Sequence, residues 1–170
     1  TSTVSLNAVD LTISSATLKG TAGDRLDATI ETDHAMQRCR LTFPDLIAAG
    51  ESQLTLVFQG TLNDQLRGFY RSTYKDQSGA THTMAATQFE ATDARRAFPC
   101  WDEPDFKAVF ATTLVIDPQL TAVSNTSVIS ETIENNKKVL QFAETIKMST
   151  YLVAFVVGRI ESTSPRFAGK

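Results

Sequence analysis

Residues able to do chemistry are sparse in this sequence and gather in one place. His34 and His82 are the only histidines, and neither has a second His, Cys or carboxylate at a helical ligand spacing such as His-x-x-x-His, so they do not make a zinc site. They lie in Thr32-Asp33-His34 and Ala80-Thr81-His82, turn-like settings in which an exposed histidine without a role is the ordinary reading. Cys39 and Cys100 are the only cysteines, too few for a disulfide framework and too far apart for a Cys-x-x-Cys metal knuckle, and read as buried reduced thiols. No Gly-x-x-x-x-Gly-Lys loop, Gly-x-Gly-x-x-Gly turn or Gly-x-Ser-x-Gly elbow occurs, which argues against simple nucleotide binding and serine hydrolysis.

The dense run is Met84 to Pro104. Gln88 and Glu90 are two apart, so on an extended backbone they project from one face, with Phe89 on the other, and could share one ligand. A second reading pairs Glu90 with Arg95 or Arg96 in a surface connection, an interaction worth under about 1 kcal/mol. Both readings are open on the residues alone. Asp102 and Glu103 are adjacent, so their side chains diverge and make a poor general acid/base pair; ion pairing to Arg95 or Arg96 fits them better. Pro99 and Pro104 restrict the backbone on either side of Trp101-Asp102-Glu103, fixing a rigid turn whose neighbours Phe98, Cys100 and Trp101 are expected to pack under the cleft.

The elements around this run read as strands, because apolar residues recur with period two. Val4 and Leu6 share one parity and Val9, Leu11 and Ile13 the other, which places a bulge or break near Asn7-Ala8. Further strands are expected over Arg25 to Glu31, Gln37 to Phe43, Gln53 to Gln59, Phe69 to Tyr74 and Thr83 to Phe89. After the dense run come Phe106 to Ile116, the clearest alternation, then Ala122 to Glu131, Val139 to Phe142 and Tyr151 to Ile160, with a hairpin turn at Asn135-Asn136. Asp45 to Ala49 and Asp93 to Phe98 are each long enough for one helical turn only. The fold class is all-β, and a sandwich, a barrel or a strongly bent open sheet would each satisfy the pattern.

The chain has 170 residues, 42% hydrophobic and 21% charged, which suits one folded domain rather than a disordered segment. A net charge of -3 with scattered Lys and Arg favours neither nucleic acid nor an anionic membrane as partner. No apolar run approaches the ~20 residues of a membrane span; the longest, Tyr151 to Val157, is strand-sized. No charged-then-apolar signal segment opens the chain, and with two reduced thiols the reading leans cytoplasmic. Ser162-Thr163-Ser164-Pro165 has the composition of an exit to another domain, so residues 1–161 are read as one β domain and 162–170 as a junction.

The stretch Thr87 through Pro104 resembles the aminopeptidase N family of zinc aminopeptidases, whose first domain carries Thr-Gln-x-Glu/Gln-x-x-x-Ala-Arg-x-x-x-Pro-Cys-x-Asp-Glu-Pro followed by a Lys-Ala-x-Phe strand opening, here Lys107 to Phe110. The likeness extends through Gly68-Phe69-Tyr70-Arg71-Ser72 and Met148 to Gly158, well over half of the chain. It implies a saddle-shaped, open barrel-like all-β domain packed on a thermolysin-like catalytic domain. In the family, the position matching Glu90 binds the free α-amine of a peptide substrate and the position matching Gln88 lines the pocket for its first residue. An α-amine has a pKa near ~8 and is largely cationic at neutral pH, so a carboxylate in a partly desolvated cleft can select it over an internal amide. The leukotriene hydrolase branch tends to carry Gln at the second position, so Glu90 points toward the plain aminopeptidases.

His-Glu-x-x-His and Gly-Ala-Met-Glu-Asn are both absent, so the zinc, the general base and the rest of the amine site are expected beyond Lys170; the family's first strands are likewise expected before Thr1. No catalytic or metal-binding residue is assigned within the chain, and alone it is expected to be inactive and free of zinc. Its implied partners are peptide substrates and a catalytic domain of the same polypeptide, which an unusually apolar surface should face. The alternative is a non-catalytic β module that binds peptide or protein.

Overall fold

A break in alternation turned out to matter as much as alternation itself. The computed structural model describes residues 1–20 and 23–161, and the expected junction at 162–170 lies outside them. These residues form four antiparallel sheets, none closed into a barrel, so the domain is all-β. Among the described residues the helical content is two 3-10 turns, η1 (Ala94–Arg96) and η2 (Thr150–Leu152). η1 falls inside the turn expected at Asp93 to Phe98; the one at Asp45 to Ala49 does not form.

The front half is a sandwich of two three-stranded sheets. One has the order β1 (Thr3–Asn7), β5 (Arg38–Thr42), β4 (Thr29–Asp33); the other β3 (Arg25–Asp27), β2 (Leu11–Gly20), β6 (Ser52–Gly60). Leu6, Ala8, Ala16, Leu18, Cys39, Leu41 and Phe43 fill the space between them. The parity switch near Asn7-Ala8 is a real corner, where Asp10 takes a left-handed φ of 56°. β2 then runs to Gly20, further than alternation from Leu11 and Ile13 predicts, because a bulge between Ile13 and Ser15 shifts the inward positions to Ala16 and Leu18. Arg25 to Glu31 is two strands rather than one: Ala28 leaves the ladder to donate its N–H to the Ala16 carbonyl, and the chain passes from one sheet to the other.

The back half holds a four-stranded sheet, β10 (Thr121–Ser124), β13 (Phe155–Gly158), β8 (Thr81–Gln88), β7 (Gly68–Lys75), and a three-stranded one, β11 (Val128–Glu134), β12 (Lys137–Phe142), β9 (Thr113–Ile116). Ile116, Ala122, Leu140 and Phe142 are their shared core. Asn135 and Asn136, at φ 49° and 59°, form the expected hairpin turn.

Three other expectations are corrected here, the first two at points where a side chain takes over part of the pairing of the backbone. Ala122 to Glu131 is interrupted at Asn125, whose Nδ2 donates to the Leu152 carbonyl at 2.8 Å and whose Oδ1 accepts from Ala154 N–H at 2.8 Å. From Phe106 to Ile116 only the last four residues join a ladder; before them the chain is held by an isolated Ala108–Met148 bridge and by Phe110 N–H on Thr145 Oγ1 at 3.0 Å. Tyr151 to Ile160 begins in η2 and becomes strand only at Phe155.

Both thiols are buried and free. Cys39 is in register with Leu6 and Cys100 bridges Asn7, so β1 lies between them. Two ladder steps of ~4.8 Å exceed the Cα separation a disulfide allows. Burial raises the Cys39 thiol, and it pushes Cys100 up to about 12, with the Asp102 carboxylate adding to the effect.

Candidate amine-recognition site

The site is assembled at the end of β8, in the middle of the four-stranded sheet. Gln88 is the last strand residue and pairs with Gly68 of β7. Phe89 then turns inward and is only 2% exposed. Its ring meets Phe98 at 5.9 Å and Phe155 at 6.2 Å, both edge-on, within a core that also contains Ala94, Cys100, Met148 and Val153. With Phe89 fixed inward, Gln88 and Glu90 are both left on the exposed side, as their spacing requires. The Glu90–Ala91 peptide is cis, and the chain closes a tight turn in which Asp93 N–H donates to the Phe89 carbonyl at 2.8 Å.

The two arginines bear on the ion-pair reading of Glu90. Arg95 Nε donates to Asp102 Oδ2 at 2.9 Å and its side chain also reaches Gln37 Oε1 at 3.1 Å. Arg96 donates from Nε to Asp93 at 2.7 Å and from a terminal nitrogen to Asp10 at 2.8 Å. Both guanidinium groups are therefore occupied by other carboxylates, and among the described residues Glu90 makes no ion pair and no side-chain hydrogen bond. The surface ion pair with Arg95 or Arg96 does not form.

Asp102 is the buried centre of the motif, 2% exposed. Its Oδ2 accepts from Arg95 N at 3.2 Å as well as Nε, its Oδ1 accepts from Thr150 Oγ1 at 2.7 Å, and its own N–H donates to Asn7 Oδ1 at 3.2 Å. The carboxylate thus ties η1 to η2, and the backbone N–H of the same residue adds β1 through Asn7. Glu103 takes no part: it is exposed, and among the described residues it pairs with neither arginine. Trp101 also departs from expectation. Rather than packing under the cleft it is 50% exposed, stacked on Phe106 at 6.2 Å, with Nε1 donating to the Ser5 carbonyl on the outer edge of β1 at 2.9 Å.

Gly68 is a residue that periodicity could not flag. It sits at φ 67°, and a Cβ placed on it would lie 2.6 Å from Arg96 Cβ. Gly68→Ala is expected to lower stability by about 2 kcal/mol, from the left-handed backbone and the forced shift of Arg96 together, measured by urea unfolding. A change under about 0.5 kcal/mol would show that Arg96 can move aside freely.

At the other end of the β7–β8 hairpin, His82 is partly buried rather than bland. Its Nε2 lies 2.6 Å from Asp76 Oδ2, and Tyr74 packs on its ring. Hydrogen bonds from the Ser78 hydroxyl and from His82 hold the Asp76 carboxyl below its ordinary range. Six residues of strand, ~20 Å, separate this cluster from Gln88. Among the described residues no three His, Cys, Asp or Glu side chains gather into a metal-binding set, so the donors present do not fit a zinc ion.

Outside the site, a groove of about 600 Å³ opens between Leu54 and Leu56 of β6 and the rings of Phe98, Trp101, Phe106 and Phe110. Exposed apolar side chains recur beside it on 101–109 and 146–152, which the Ala108–Met148 bridge holds together; Ile146 is 83% exposed.

Comparison with known proteins gives this geometry its context. Residues 1–152 match the model of the peptidase M1 N-terminal domain. The chain is 47% identical over 163 residues to "Aminopeptidase 2, mitochondrial" of Saccharomyces cerevisiae, covering 94% of this chain and 17% of that protein. It is 48% identical over 155 residues to "Aminopeptidase M1-C" of Oryza sativa subsp. japonica, covering 90% and 17%. With "Puromycin-sensitive aminopeptidase" of Caenorhabditis elegans it shares 44% identity over 168 residues, covering 96% and 18%. The chain thus spans under a fifth of the length of these relatives.

Proposed function

This chain belongs to the peptidase M1 N-terminal domain family, and from that premise we propose that it is the substrate-recognition domain of a zinc aminopeptidase that removes N-terminal residues from peptides. Glu90 receives the protonated α-amine and Gln88 lines the space for the first side chain. The observation that carries this reading is that Glu90 is exposed beside Gln88 while the nearby arginines are committed to Asp10, Asp93 and Asp102. A carboxylate without an internal partner among the described residues, in a tight turn directly after a strand, can give its full charge to an incoming cation.

The chain's own work is binding and orientation. Phe89 locks the backbone, Glu90 accepts hydrogen bonds from the ammonium, and the amide of Gln88 offers a donor and an acceptor alongside it. An internal peptide bond presents no cation there, so the site selects chain ends. In this reading water activation is the work of a zinc domain outside this chain; among the described residues no donor set fits the metal. The apolar side chains at 101–109 and 146–152 support a packed partner surface, in our reading that catalytic domain. We also place the protein in the cytoplasm, on its two unpaired thiols; among the described residues no helix is long and apolar enough to cross a membrane.

The test compares two proteins. The chain alone is expected to neither retain zinc after dialysis nor cleave aminoacyl arylamides, whereas the polypeptide continued past Lys170 is expected to do both and to lose activity to a chelator. Stoichiometric zinc on the chain alone, or a continuation without zinc and without activity, would contradict the proposal and favour a non-catalytic binding module.

A further inference from the structure

We propose that Arg96 is a positioning residue for the Gln88–Glu90 face, holding the strand end and the turn after it in one geometry; the inference rests on the amine-recognition reading above. Three contacts converge on this side chain. Its Nε binds Asp93 at 2.7 Å, its terminal nitrogen binds Asp10 at 2.8 Å, and its Cβ lies where a side chain on residue 68 would have to be. Two of them lead to the site by one step, and the third anchors the side chain to the front sandwich. Asp93 closes the turn that carries Glu90, through its N–H on the Phe89 carbonyl. Gly68 is the ladder partner of Gln88. Asp10 is the left-handed corner between β1 and β2, on the front sandwich.

The Asp10 leg is 80% exposed on its carboxylate side, so the brace that Arg96 makes rests on the more enclosed Asp93 leg. The Arg96 side chain is only 14% exposed, and the Arg96 N–H also donates to the Asp93 carbonyl at 3.1 Å, so backbone and side chain grip the same residue. A planar guanidinium can hold two carboxylates at a fixed angle, which a lysine ammonium on a flexible stem cannot. Gly68 is matched to it: without a Cβ on β7, the Arg96 stem lies against the strand beside Gln88. Loss of the brace leaves Gln88 in its ladder but frees the Glu90 turn to sample other positions. An amine held about 1 Å out of place costs up to about a hundredfold in rate.

Arg96→Met keeps the stem and removes both ion pairs. In the full-length enzyme it is expected to lower kcat/KM for free-amine substrates by about 10- to 100-fold, with Arg96→Lys between it and wild type. In a Glu90→Gln background the same change should cost under about threefold more, because there is less left to position. Hydrogen exchange in segment 89–93 should rise while that of Leu41 and Leu140 does not. An Arg96→Met enzyme within about twofold of wild type, when Glu90→Gln is impaired, would overturn the brace and leave the amine site standing. An equal loss in both backgrounds would overturn it too, by showing a general effect on folding. No effect of Glu90→Gln at all would remove the amine site and this inference together. Should Arg96→Met not fold, Asp93→Asn removes one leg alone and is read by the same cycle.

Discussion

In the proposed aminopeptidase, Glu90→Ala is expected to reduce kcat/KM for free-amine substrates by roughly one and a half to three and a half decades while leaving the unfolding midpoint nearly unchanged. The separation of the two effects follows from the position of the side chain. Glu90 is exposed and, among the described residues, bonded to nothing, so its truncation strands no internal donor and opens no cavity. Its proposed binding role is different in kind. Once a second surface closes over the Gln88–Glu90 face, the ammonium and the carboxylate are partly desolvated, and removing one partner costs on the order of 2–5 kcal/mol. A solvated surface pair would cost under about 1 kcal/mol, outside that range. Glu90→Gln should fare better than Glu90→Ala, because its carbonyl still accepts a hydrogen bond from the ammonium, without the charge.

Asp102→Ala should do the reverse, lowering stability by about 3–5 kcal/mol. The carboxylate is fully enclosed and satisfies Arg95, Thr150 and the turn at once. Its loss leaves the Arg95 guanidinium, itself 13% exposed, without its ionic partner and breaks the link between η1 and η2, while the residue's own N–H can still donate to Asn7 on β1. Against a typical stability of about 5–15 kcal/mol, that change brings a domain of this size close to unfolding. Asp102→Asn isolates the charge: its carbonyl can face the Arg95 donors while its amide donates to the Thr150 hydroxyl, so the hydrogen bonds survive. It should therefore cost clearly less than alanine. Urea unfolding followed by the fluorescence of Trp101, which adjoins this network, measures both. An alanine variant within about 1 kcal/mol of wild type would show that Arg95 finds another partner.

The strands were legible where apolar alternation is uninterrupted, as in Gln53 to Gln59, Phe69 to Tyr74 and Val139 to Phe142, each of which lies in one observed strand. Alternation misleads where a single residue leaves the ladder. Ala28 and Asn125 each look like one more position in a strand, yet the first changes sheets and the second spends its side chain on the backbone near η2. The bulge before Ser15 hid half of β2 for the same reason, since one extra residue inverts every later position.

At the site, the outward pair Gln88 and Glu90 and the inward Phe89 followed from period two alone. The partners of the arginines did not. Asp102 was a candidate by nearness, but its contacts with Thr150 and Asn7 span 48 and 95 residues, and no local spacing records such pairs. Asp93 did leave a signal, three residues before Arg96, the separation of neighbours on a helical turn. Asp10 left none, because it lies 86 residues from Arg96 and meets it only once the front sandwich is folded.

The most direct test of amine recognition is the ratio of kcat/KM for a free-amine substrate to that for its N-acetylated counterpart, measured in the wild-type enzyme and in Glu90→Gln. If Glu90 binds the ammonium, wild type strongly prefers the free amine, and Glu90→Gln lowers the ratio by at least about tenfold, nearly all of it from the free-amine arm. If a folded Glu90→Gln enzyme keeps the wild-type ratio, Glu90 does not recognise the amine and the proposed role of this domain is contradicted.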